Sequence, residues 1–539
     1  MPPAEVPEDV LTTPFTDYLL RNAAADRPAF TCRTFPGPTD HTLTWPQVLA
    51  RVRGVARELR RHTRPGDRVA IVARQDLGYV LAFLGTLYAG LVAVPLSVPT
   101  GRTHRARIEA AFADATPSVC LASKNLVEKV PHDVVLAVED IEPDDAEPPG
   151  VVAMTDPAYL QYTSGSTRRP AGAVISHRAL VASCWQSTRP YHADASSHLA
   201  GWVPFFHDMG LILLIGVPVF LGARSVFFTP MEFVRDPLRW LRLLADHPRA
   251  ITAAPNFAFD LAAEAAGDLE DVDLSHVNAV LNGSEPVRAA SVEAFDRAFA
   301  PFGLPRAAHK PCYGLAEATV FVASAGDEGP TVTAFDRDAL RAGVAKPAEG
   351  GEALVASGLP YGQRVEIVDK ETGAAMPDGE VGEIRVSGPN VADGYWGHPE
   401  RGDVFTADGL RTGDLGFVHD GLLYVAGRLK DLIIVDGRNH YPQDIEATVE
   451  AAHPAVRAGR VAAFAVRDGR GEGVAVVAGS AATGDDVETA VRRAVSAGHD
   501  LPLRALWLVP PGAVPRTSSG KVSRAAARDR WWGENDGHG

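Results

Sequence analysis

The chain has 539 residues, of which 46% are hydrophobic and 22% charged, so it can bury several cores and is not a disordered tail. Its 67 acidic residues outnumber its 52 basic ones, and the formal net charge of −15 argues against nucleic acid or an anionic membrane as a partner. The longest uncharged run, residues 209–223, contains Pro218 and is too short for a bilayer core of about 30 Å, so no membrane insertion is expected.

The N-terminal segments predict alternating helices and strands. Apolar residues at helical spacing over 44–61 precede a Pro-Gly-Asp turn and a short apolar strand at 69–73. A second helix and strand follow at 79–89 and 91–95, and the pattern recurs near 108–121. This alternation is typical of an α/β fold with parallel sheet.

The later segments change in character. Residues 140–150 are acidic and proline-rich and predict a solvated connector. Short β-like runs then occur at 365–368, 382–386 and 422–425, and strand-like runs at 461–466 and 474–478 precede a helical stretch at 485–496. We expect a large N-terminal domain, 1–426, of two parallel-sheet α/β subdomains plus a small β-barrel-like subdomain. An α+β C-terminal domain, 427–539, completes the predicted fold.

The four cysteines are Cys32, Cys120, Cys184 and Cys312, widely spaced and without a C-x-x-C pair. Neither a disulfide framework nor a zinc knuckle is indicated. The N-terminus lacks the basic start and apolar segment of a signal peptide. We therefore expect buried thiols in a reducing compartment and a cytoplasmic protein.

A loop rich in glycine and small hydroxyl residues follows residues 157–161. Glycine and short side chains let backbone N–H groups and hydroxyls approach phosphate oxygens, although such composition also marks ordinary turns. Neither a Walker A motif nor a G-x-S-x-G elbow is present, which disfavours P-loop nucleotide hydrolysis and serine hydrolase chemistry. The candidate phosphate-binding residues are Thr163, Ser164, Gly165, Ser166 and Thr167.

Six further motifs follow in order along the chain. They are Phe206-His207-Asp208-Met209-Gly210, Asn282-Gly283-Ser284-Glu285-Pro286, Tyr313-Gly314-Leu315-Ala316-Glu317, Arg411-Thr412-Gly413-Asp414, Gly427-Arg428-Leu429-Lys430-Asp431 and Pro515-Arg516-Thr517-Ser518-Ser519-Gly520-Lys521. With the hydroxyl-rich loop, this set resembles the core motifs of the adenylate-forming (ANL) superfamily over nearly the whole chain. The segments PFFHDMGL, APNFAF, YGLAEAT and GRNHYPQDIE most resemble fatty acyl-AMP ligases.

The resemblance implies activation of a fatty or related apolar carboxylic acid by ATP, with release of pyrophosphate. A carboxylate attacking the α-phosphorus brings two anions together, so cations must converge there. The implied catalytic residues are Lys521, which bridges carboxylate and phosphate, Arg428, which holds phosphate or ribose, and His207, which positions the reacting groups.

The resemblance also assigns the nucleotide and metal contacts. Glu317 is the implied ligand of Mg²⁺, a cation that prefers oxygen ligands and phosphates. The implied adenine and ribose contacts are Asn282, Gly283, Ser284, Tyr313, Gly314 and Asp414.

Two positions depart from the superfamily pattern. Ala171 stands where a lysine usually closes the phosphate loop, and Ala316 where a threonine usually precedes the metal-binding Glu. Arg168 and Arg169 are candidate replacements for the missing cation. Because His207 follows Phe206 where amino-acid-activating relatives commonly keep an Asp, an ordinary α-amino acid substrate is not expected.

The acyl acceptor is the remaining question. The long connection between Thr319 and Gly362, with a helical stretch at 335–343, resembles the insertion that is thought to restrain the C-terminal domain of fatty acyl-AMP ligases. Lys430 lies at the family's hinge, about which the C-terminal domain rotates after adenylation. The implied acceptor is the phosphopantetheine thiol of an acyl carrier protein in trans, because only 18 residues follow Lys521.

Two alternatives stay open: an acyl-CoA ligase that uses free CoA, and a nucleotide-binding homologue with little turnover. The acyl chain length cannot be read from the sequence, although Trp202, Phe205, Met231, Phe233 and Phe257 predict apolar pocket walls.

Overall fold

A computed structural model describes residues 5–99, 102–162, 171–399, 402–435, 438–468, 471–499, 501–517 and 520–533. The N-terminal elements are α1 (Glu8–Thr12), α2 (Phe15–Asn22), β1 (Pro28–Thr34), β2 (Thr39–Thr44) and α3 (Trp45–Arg60). Helix α3 begins at a capping box formed by Thr44 and Gln47, and its apolar face is buried, as its helical spacing predicts.

The first α/β unit contains a six-stranded sheet. Its elements are β3 (Arg68–Val72), α4 (Leu77–Tyr88), β4 (Val92–Pro95), α5 (Arg102–Ala115), β5 (Val119–Ala122), β6 (Val135–Ala137), β7 (Pro157–Tyr162), β8 (Gly172–Ser176) and α6 (His177–Gln186). The strand order is β6-β5-β3-β4-β7-β8, and only β7 and β8 pair antiparallel. The predicted parallel α/β arrangement is confirmed here.

The proline-rich connector is irregular, as predicted, but it is also attached to α3. Arg57 pairs with Asp144 at 2.5 Å, and the backbone N–H of Asp144 donates to Ala50 O at 2.9 Å. Gly150 packs so closely on Ala89 and Gly90 that an added Cβ would lie 2.6 Å from the nitrogen of Gly90. The connector therefore covers one side of α3 instead of extending freely into solvent.

The second α/β unit carries the longest parallel run. Its elements are β9 (His198–Gly201), α7 (Asp208–Leu211), a π-helical turn (Ile212–Gly216), α8 (Val217–Leu221), β10 (Arg224–Phe227), α9 (Pro230–Arg235), α10 (Leu238–Ala245), β11 (Ala250–Pro255), α11 (Asn256–Ala265), β12 (Ala279–Gly283), α12 (Ala289–Phe299) and β13 (His309–Tyr313). The strands β13-β12-β11-β9-β10-β1 are all parallel, and β2 pairs antiparallel with β1 at the edge.

Antiparallel strands form the expected small β subdomain. They are β14 (Ala323–Ser324), β15 (Val332–Phe335), β16 (Glu352–Pro360), β17 (Arg364–Val368), β18 (Gly382–Ser387), β19 (Phe405–Thr406), β20 (Gly409–His419) and β21 (Leu422–Arg428), with helix α13 (Arg337–Arg341) between β15 and β16. Strand β14 pairs with both β13 and β16, so these strands continue the second sheet by hydrogen bonding.

The C-terminal elements form the predicted α+β unit. They are β22 (Ile433–Val435), β23 (Arg438–His440), α14 (Pro442–Ala452), β24 (Val456–Asp468), β25 (Gly471–Ser480), α15 (Asp485–His499), β26 (Leu503–Val509) and α16 (Arg524–Trp531). The sheet order is β24-β25-β26, with α14 and α15 over one apolar face and α16 over the other. The boundary at residues 426 and 427 stays a prediction.

Among the described helices, none combines the length and the apolar character needed to cross a bilayer. The four cysteines are free thiols, and Cys32, Cys120 and Cys184 are buried.

Candidate active site

The predicted site residues gather where parallel strands end. Asn282 is near the carboxyl end of β12 and Tyr313 is at the end of the neighbouring β13. Open α/β sheets bind ligands at this edge because the loops that leave adjacent strands converge there. The β20–β21 hairpin and the loop before α16 close the other side, which makes a cleft between the N-terminal and C-terminal parts of the chain.

Asp414 organises one wall of this cleft. It is buried, and it accepts hydrogen bonds from the Tyr313 hydroxyl at 2.7 Å and from Arg428 Nε at 2.9 Å. Asp414 and Arg428 are cross-strand partners in the β20–β21 register, so the hairpin itself sets their separation. The Asp414 carboxylate raises the pKa of Arg428, which keeps the guanidinium charged.

The Asn282-Gly283-Ser284 turn forms a second wall. Asn282 is fully buried, and its Nδ2 lies 3.3 Å from His309 Nε2, so its amide nitrogen serves the packing of neighbouring strands. A Cβ on Gly283 would lie 2.7 Å from Cys312 Sγ, and Ser284 has a φ of +67°. This close approach leaves the turn backbone, more than the Asn282 side chain, available to a planar base.

Gly314 and Glu317 lie on the tight segment after β13. A Cβ on Gly314 would lie 1.5 Å from the carbonyl oxygen of Val320, which only glycine tolerates. Thr319 and Val320 both have positive φ, +50° and +82°, an unfavourable conformation for β-branched residues. The position of Glu317 therefore depends on a strained turn, and the packing around this turn must stabilise its conformation.

Glu317 fits the expected magnesium ligand in its chemistry. One of its carboxylate oxygens accepts from the Tyr395 hydroxyl at 2.7 Å, and Arg428 and Lys430 both interact with it electrostatically. Over the part of the chain that the structure describes, no group of three or more metal-ligating side chains occurs. A single carboxylate of this kind suits Mg²⁺, which usually takes one or two carboxylates together with substrate phosphates and water.

Lys521 enters the cleft from a tight loop of the C-terminal part. The Thr517 N–H donates to Lys521 O at 2.7 Å, the Gly520 N–H donates to Thr517 O at 3.0 Å, and Gly520 has a φ of +88°. Burial lowers the pKa of the Lys521 ammonium, and Arg428 acts in the same direction. Three carboxylates oppose this effect: Asp208, Glu285 and Asp414.

His207 directly precedes α7, on the N-terminal side of the cleft that Lys521 enters. Its Nδ1 lies 2.5 Å from Asp208 Oδ1, and the Gln161 amide near the end of β7 donates to Phe206 O at 3.1 Å. Although burial disfavours the charged carboxylate, His207 and Lys521 hold the pKa of Asp208 below its usual range. The first sheet thus fixes the turn that carries His207.

Lys430, the expected hinge residue, lies in a 3₁₀ turn, Leu429–Asp431, directly after β21. Burial and the neighbouring Arg428 lower its pKa. The next residue, Asp431, pairs with Arg524 of α16 at 3.1 Å, which links the turn to the helix that follows Lys521.

An apolar cavity of about 50 Å³ opens beside this cleft. The apolar part of its wall comes from Met209, Ile212, Leu213, Leu281, Val320 and Phe321, and Asp208 and Ser284 lie at the same cavity. The π-helical turn places Ile212 and Leu213 here, and such local widenings of a helix are frequent at functional sites.

None of the five candidate wall residues, Trp202, Phe205, Met231, Phe233 and Phe257, lines this cavity. Trp202 and Phe233 stack on each other in the core beneath α9 and α10, with ring centroids 3.9 Å apart, and Met231 is 58% exposed. Hydrophobicity alone could not identify which apolar side chains line a cavity, because the sheet order decides which of them meet.

The structure brings together Lys521, Arg428, Asp414, Tyr313, Glu317 and His207, which are separated by up to 314 positions along the chain. The phosphate-loop residues Thr163, Ser164, Gly165, Ser166 and Thr167, with Arg168 and Arg169, lie outside the described residues. Ala171 is described and is buried, so this position supplies no cation. Sequence reasoning gave no role to Tyr395 or Glu285, although the Asn282-Gly283-Ser284-Glu285 motif contains the second.

Comparisons with known proteins identify the family of the chain. Residues 20–396 match the family described as AMP-binding enzyme, and residues 430–535 match the family described as Disco-interacting protein 2-like, AMP domain. The chain is 42% identical to the long-chain-fatty-acid–AMP ligase FadD26 of Mycobacterium marinum, over 95% of this chain and 96% of that relative. It is 40% identical to the 4-hydroxyphenylalkanoate adenylyltransferase of Mycobacterium tuberculosis, over 95% of this chain and 91% of that relative.

The fold is also similar to a solved structure from a study of fatty acyl-adenylate ligases of E. coli and L. pneumophila. The two chains are 30% identical, the TM-score is 0.89, and the similarity covers 98% of this chain and 100% of that one. The similarity therefore extends over both the N-terminal and the C-terminal parts.

Proposed function

Because this chain belongs to the AMP-binding enzyme family, among the fatty acyl-AMP ligases, we propose that it activates a fatty or related apolar carboxylic acid. The carboxylate attacks the α-phosphorus of ATP, an acyl adenylate forms, and pyrophosphate leaves. The apolar cavity that opens at Ser284 and Asp208, beside the nucleotide turn, supports an apolar acyl group.

One observation carries the proposal: Lys521, Arg428 and Asp414 share a single cleft, although Lys521 comes from the far end of the chain. Carboxylate and triphosphate repel each other, and two fixed cations in a partly buried cleft offset that repulsion where charge develops. Lys521 holds the attacking carboxylate against the α-phosphate, and Arg428 holds phosphate or ribose.

The remaining groups orient the nucleotide. Asp414 accepts from the ribose hydroxyls, Tyr313 and the Gly283–Ser284 backbone hold adenine, and His207 steadies the junction of carboxylate and phosphate. Glu317 is the residue that would hold Mg²⁺, which supplies charge neutralisation on the phosphates when bound. The hydroxyl-rich loop, residues 163–167, completes the phosphate contacts.

We further propose that the acyl group passes to the phosphopantetheine thiol of a carrier protein in trans, after residues 427–539 rotate about Lys430 to withdraw Lys521. Contacts of the insertion support this choice over free CoA. Arg341 of α13 donates to Gly498 O at 3.1 Å and to His499 Nδ1 at 3.4 Å, so the insertion is hydrogen-bonded to the end of α15. These hydrogen bonds restrict how far the C-terminal part rotates.

We also propose that this chemistry takes place in the cytoplasm, where ATP is abundant and the free thiols stay reduced.

The adenylation step is tested by ATP–pyrophosphate exchange with a panel of carboxylic acids that differ in chain length. We expect exchange that depends on the acid, and we expect Lys521→Ala to suppress it far more than it weakens ATP binding. Absent exchange with every acid, while nucleotide still binds, would instead support the nucleotide-binding homologue that Ala171 and Ala316 bring into consideration.

The acceptor is tested by offering holo-carrier and free CoA in parallel. Carrier loading with little CoA product is expected, whereas abundant CoA product without loading would make the chain an acyl-CoA ligase. Arg341→Ala should increase CoA product, and Arg297→Ala is the control because this exposed arginine of α12 pairs with Glu293 of its own helix.

A further inference from the structure

Beside the cleft, the N-terminal and C-terminal parts of the chain contact each other through a second group of residues, most of which are charged. On the N-terminal side are Phe257 of α11, Glu285 after β12, and Arg288 just before α12. We call these three residues the receiving face. Opposite them on the C-terminal side lie Glu450 of α14, together with Arg516 and Lys521. We call the loop between β26 and α16, which carries both Arg516 and Lys521, the catalytic loop.

Glu285 is firmly held on this face. Its Oε1 accepts the backbone N–H of Phe257 at 2.7 Å, in the first turn of α11, where the helix dipole favours a negative charge. Phe257 in turn carries the catalytic loop: the Arg516 guanidinium lies 5.6 Å from its ring centroid, and a Cβ on Gly520 would contact the ring at 3.7 Å. The carboxylate thus fixes the residue against which the loop packs.

Burial raises the pKa of Glu285, and three cations that face it oppose this rise: Lys521, Arg288 and Arg516. Two of them belong to the catalytic loop, and the third, Arg288, joins the same interface through an ion pair with Glu450 at 2.9 Å and a second pair with Asp260. Among the carboxylates that act on Lys521, Asp208 is paired with His207, and Asp414 is the proposed ribose ligand. Glu285 is the carboxylate of this group that has neither the histidine partner of Asp208 nor the proposed ribose contact of Asp414.

We propose that Glu285 is a positioning residue for adenylation, which docks the catalytic loop on the N-terminal part and so holds Lys521 at the reacting carboxylate. This inference rests on the proposed function, since it assigns Glu285 to the first half-reaction alone. Once the loop withdraws for thioester transfer, neither Lys521 nor Arg516 faces Glu285, so the second half-reaction does not need it.

The electrostatics give this role a signature in the pH profile. Burial and Arg428 depress the pKa of Lys521, and the anions Asp208, Glu285 and Asp414 oppose that depression. Removal of one anion lowers the pKa of Lys521 further, so the ammonium is lost at a lower pH. The basic limb of the adenylation profile therefore moves to lower pH, which a purely structural role of Glu285 does not produce.

The experiment compares the full-length chain with Glu285→Gln, which keeps an oxygen for the Phe257 N–H but removes the charge. We expect acid-dependent pyrophosphate exchange to fall about tenfold and its basic limb to move to lower pH. Thioester formation from synthetic acyl-AMP should keep the wild-type rate. Glu285→Asp keeps the negative charge, so the basic limb of its pH profile should lie closer to that of the wild type.

Glu450→Gln is the matched control, because it removes an interdomain carboxylate that pairs with Arg288, whereas the main carboxylates acting on Lys521 are Asp208, Glu285 and Asp414. We expect it to leave the basic limb in place. If Glu285→Gln folds poorly, Arg516→Met tests the same docking, and it should slow exchange while sparing transfer from acyl-AMP.

The inference is overturned if Glu285→Gln leaves exchange and its basic limb unchanged, or if both half-reactions fall equally. A wild-type chain that shows no exchange with any acid refutes the proposed function itself, so the two failures are distinguishable.

Discussion

Replacement of Asp414 by asparagine should lower kcat/KM for ATP more than it lowers the stability of the fold. The side chain is 7% exposed and accepts from Tyr313 at 2.7 Å and from Arg428 at 2.9 Å. Asparagine keeps the shape and one acceptor oxygen, and the Tyr313 hydroxyl can turn to accept from the new amide. Arg428 has only donors, so its charge-assisted bond is weakened or lost.

The expected size follows from that bond. A hydrogen bond to a charged group contributes about 1.5–3 kcal/mol. Because the Arg428 side chain is 47% exposed, solvent screening places the loss near the lower end, about 1.5 kcal/mol, or roughly tenfold in kcat/KM for ATP. Loss of the ribose contact adds to this figure, so tenfold is a minimum.

The assay is pyrophosphate exchange at varied ATP with saturating acid. Tyr313→Phe is the companion variant, because it removes the other donor to Asp414 without changing charge. The two effects should be non-additive in the double variant, since both act through one carboxylate. An Asp414→Asn enzyme with kcat/KM for ATP within twofold of wild type would refute the reasoning.

Three further predictions concern folding. Gly314→Ala, whose new Cβ would lie 1.5 Å from a backbone carbonyl, should abolish exchange, while Gly267→Ala, with nothing within 4 Å, should change the unfolding free energy by less than about 0.5 kcal/mol. Arg524→Met leaves Glu446 buried without its bidentate partner and should cost about 3 kcal/mol in urea unfolding; a loss under 1 kcal/mol contradicts this. Burial lowers the pKa of His177 to about 4, so the unfolded chain binds its proton first and stability falls as pH drops from 6.5 towards 4; His177→Gln should make that fall shallower.

Much of the local structure was predictable from local chemistry. The helical spacing predicts α3, the apolar runs predict β3 and β4, and the helical stretch after Asp485 corresponds to α15. Each of these signals lies within one element, so distant residues are not needed to interpret it. The helical stretch expected inside the insertion is also present, as the short helix α13.

The site was predictable only as a set of motifs. Lys521, Arg428, Asp414 and Glu317 were identified because their short motifs resemble those of the ANL superfamily, and phosphate and carboxylate chemistry is consistent with those residue types. The motifs gave no signal for Tyr395, whose hydroxyl donates to Glu317, and Met231, one of the candidate wall residues, is exposed.

The amino-acid sequence alone thus determined which chemical groups the chain carries and which segments become helices and strands, since both depend on neighbouring residues. The tertiary structure decided which strand ends meet, that Glu285 faces the catalytic loop, and that Ile212, Leu213 and Phe321 share one cavity. These contacts join residues far apart in the chain, and their geometry depends on the order of strands in the sheet and on the docking of the C-terminal part, neither of which a local pattern encodes.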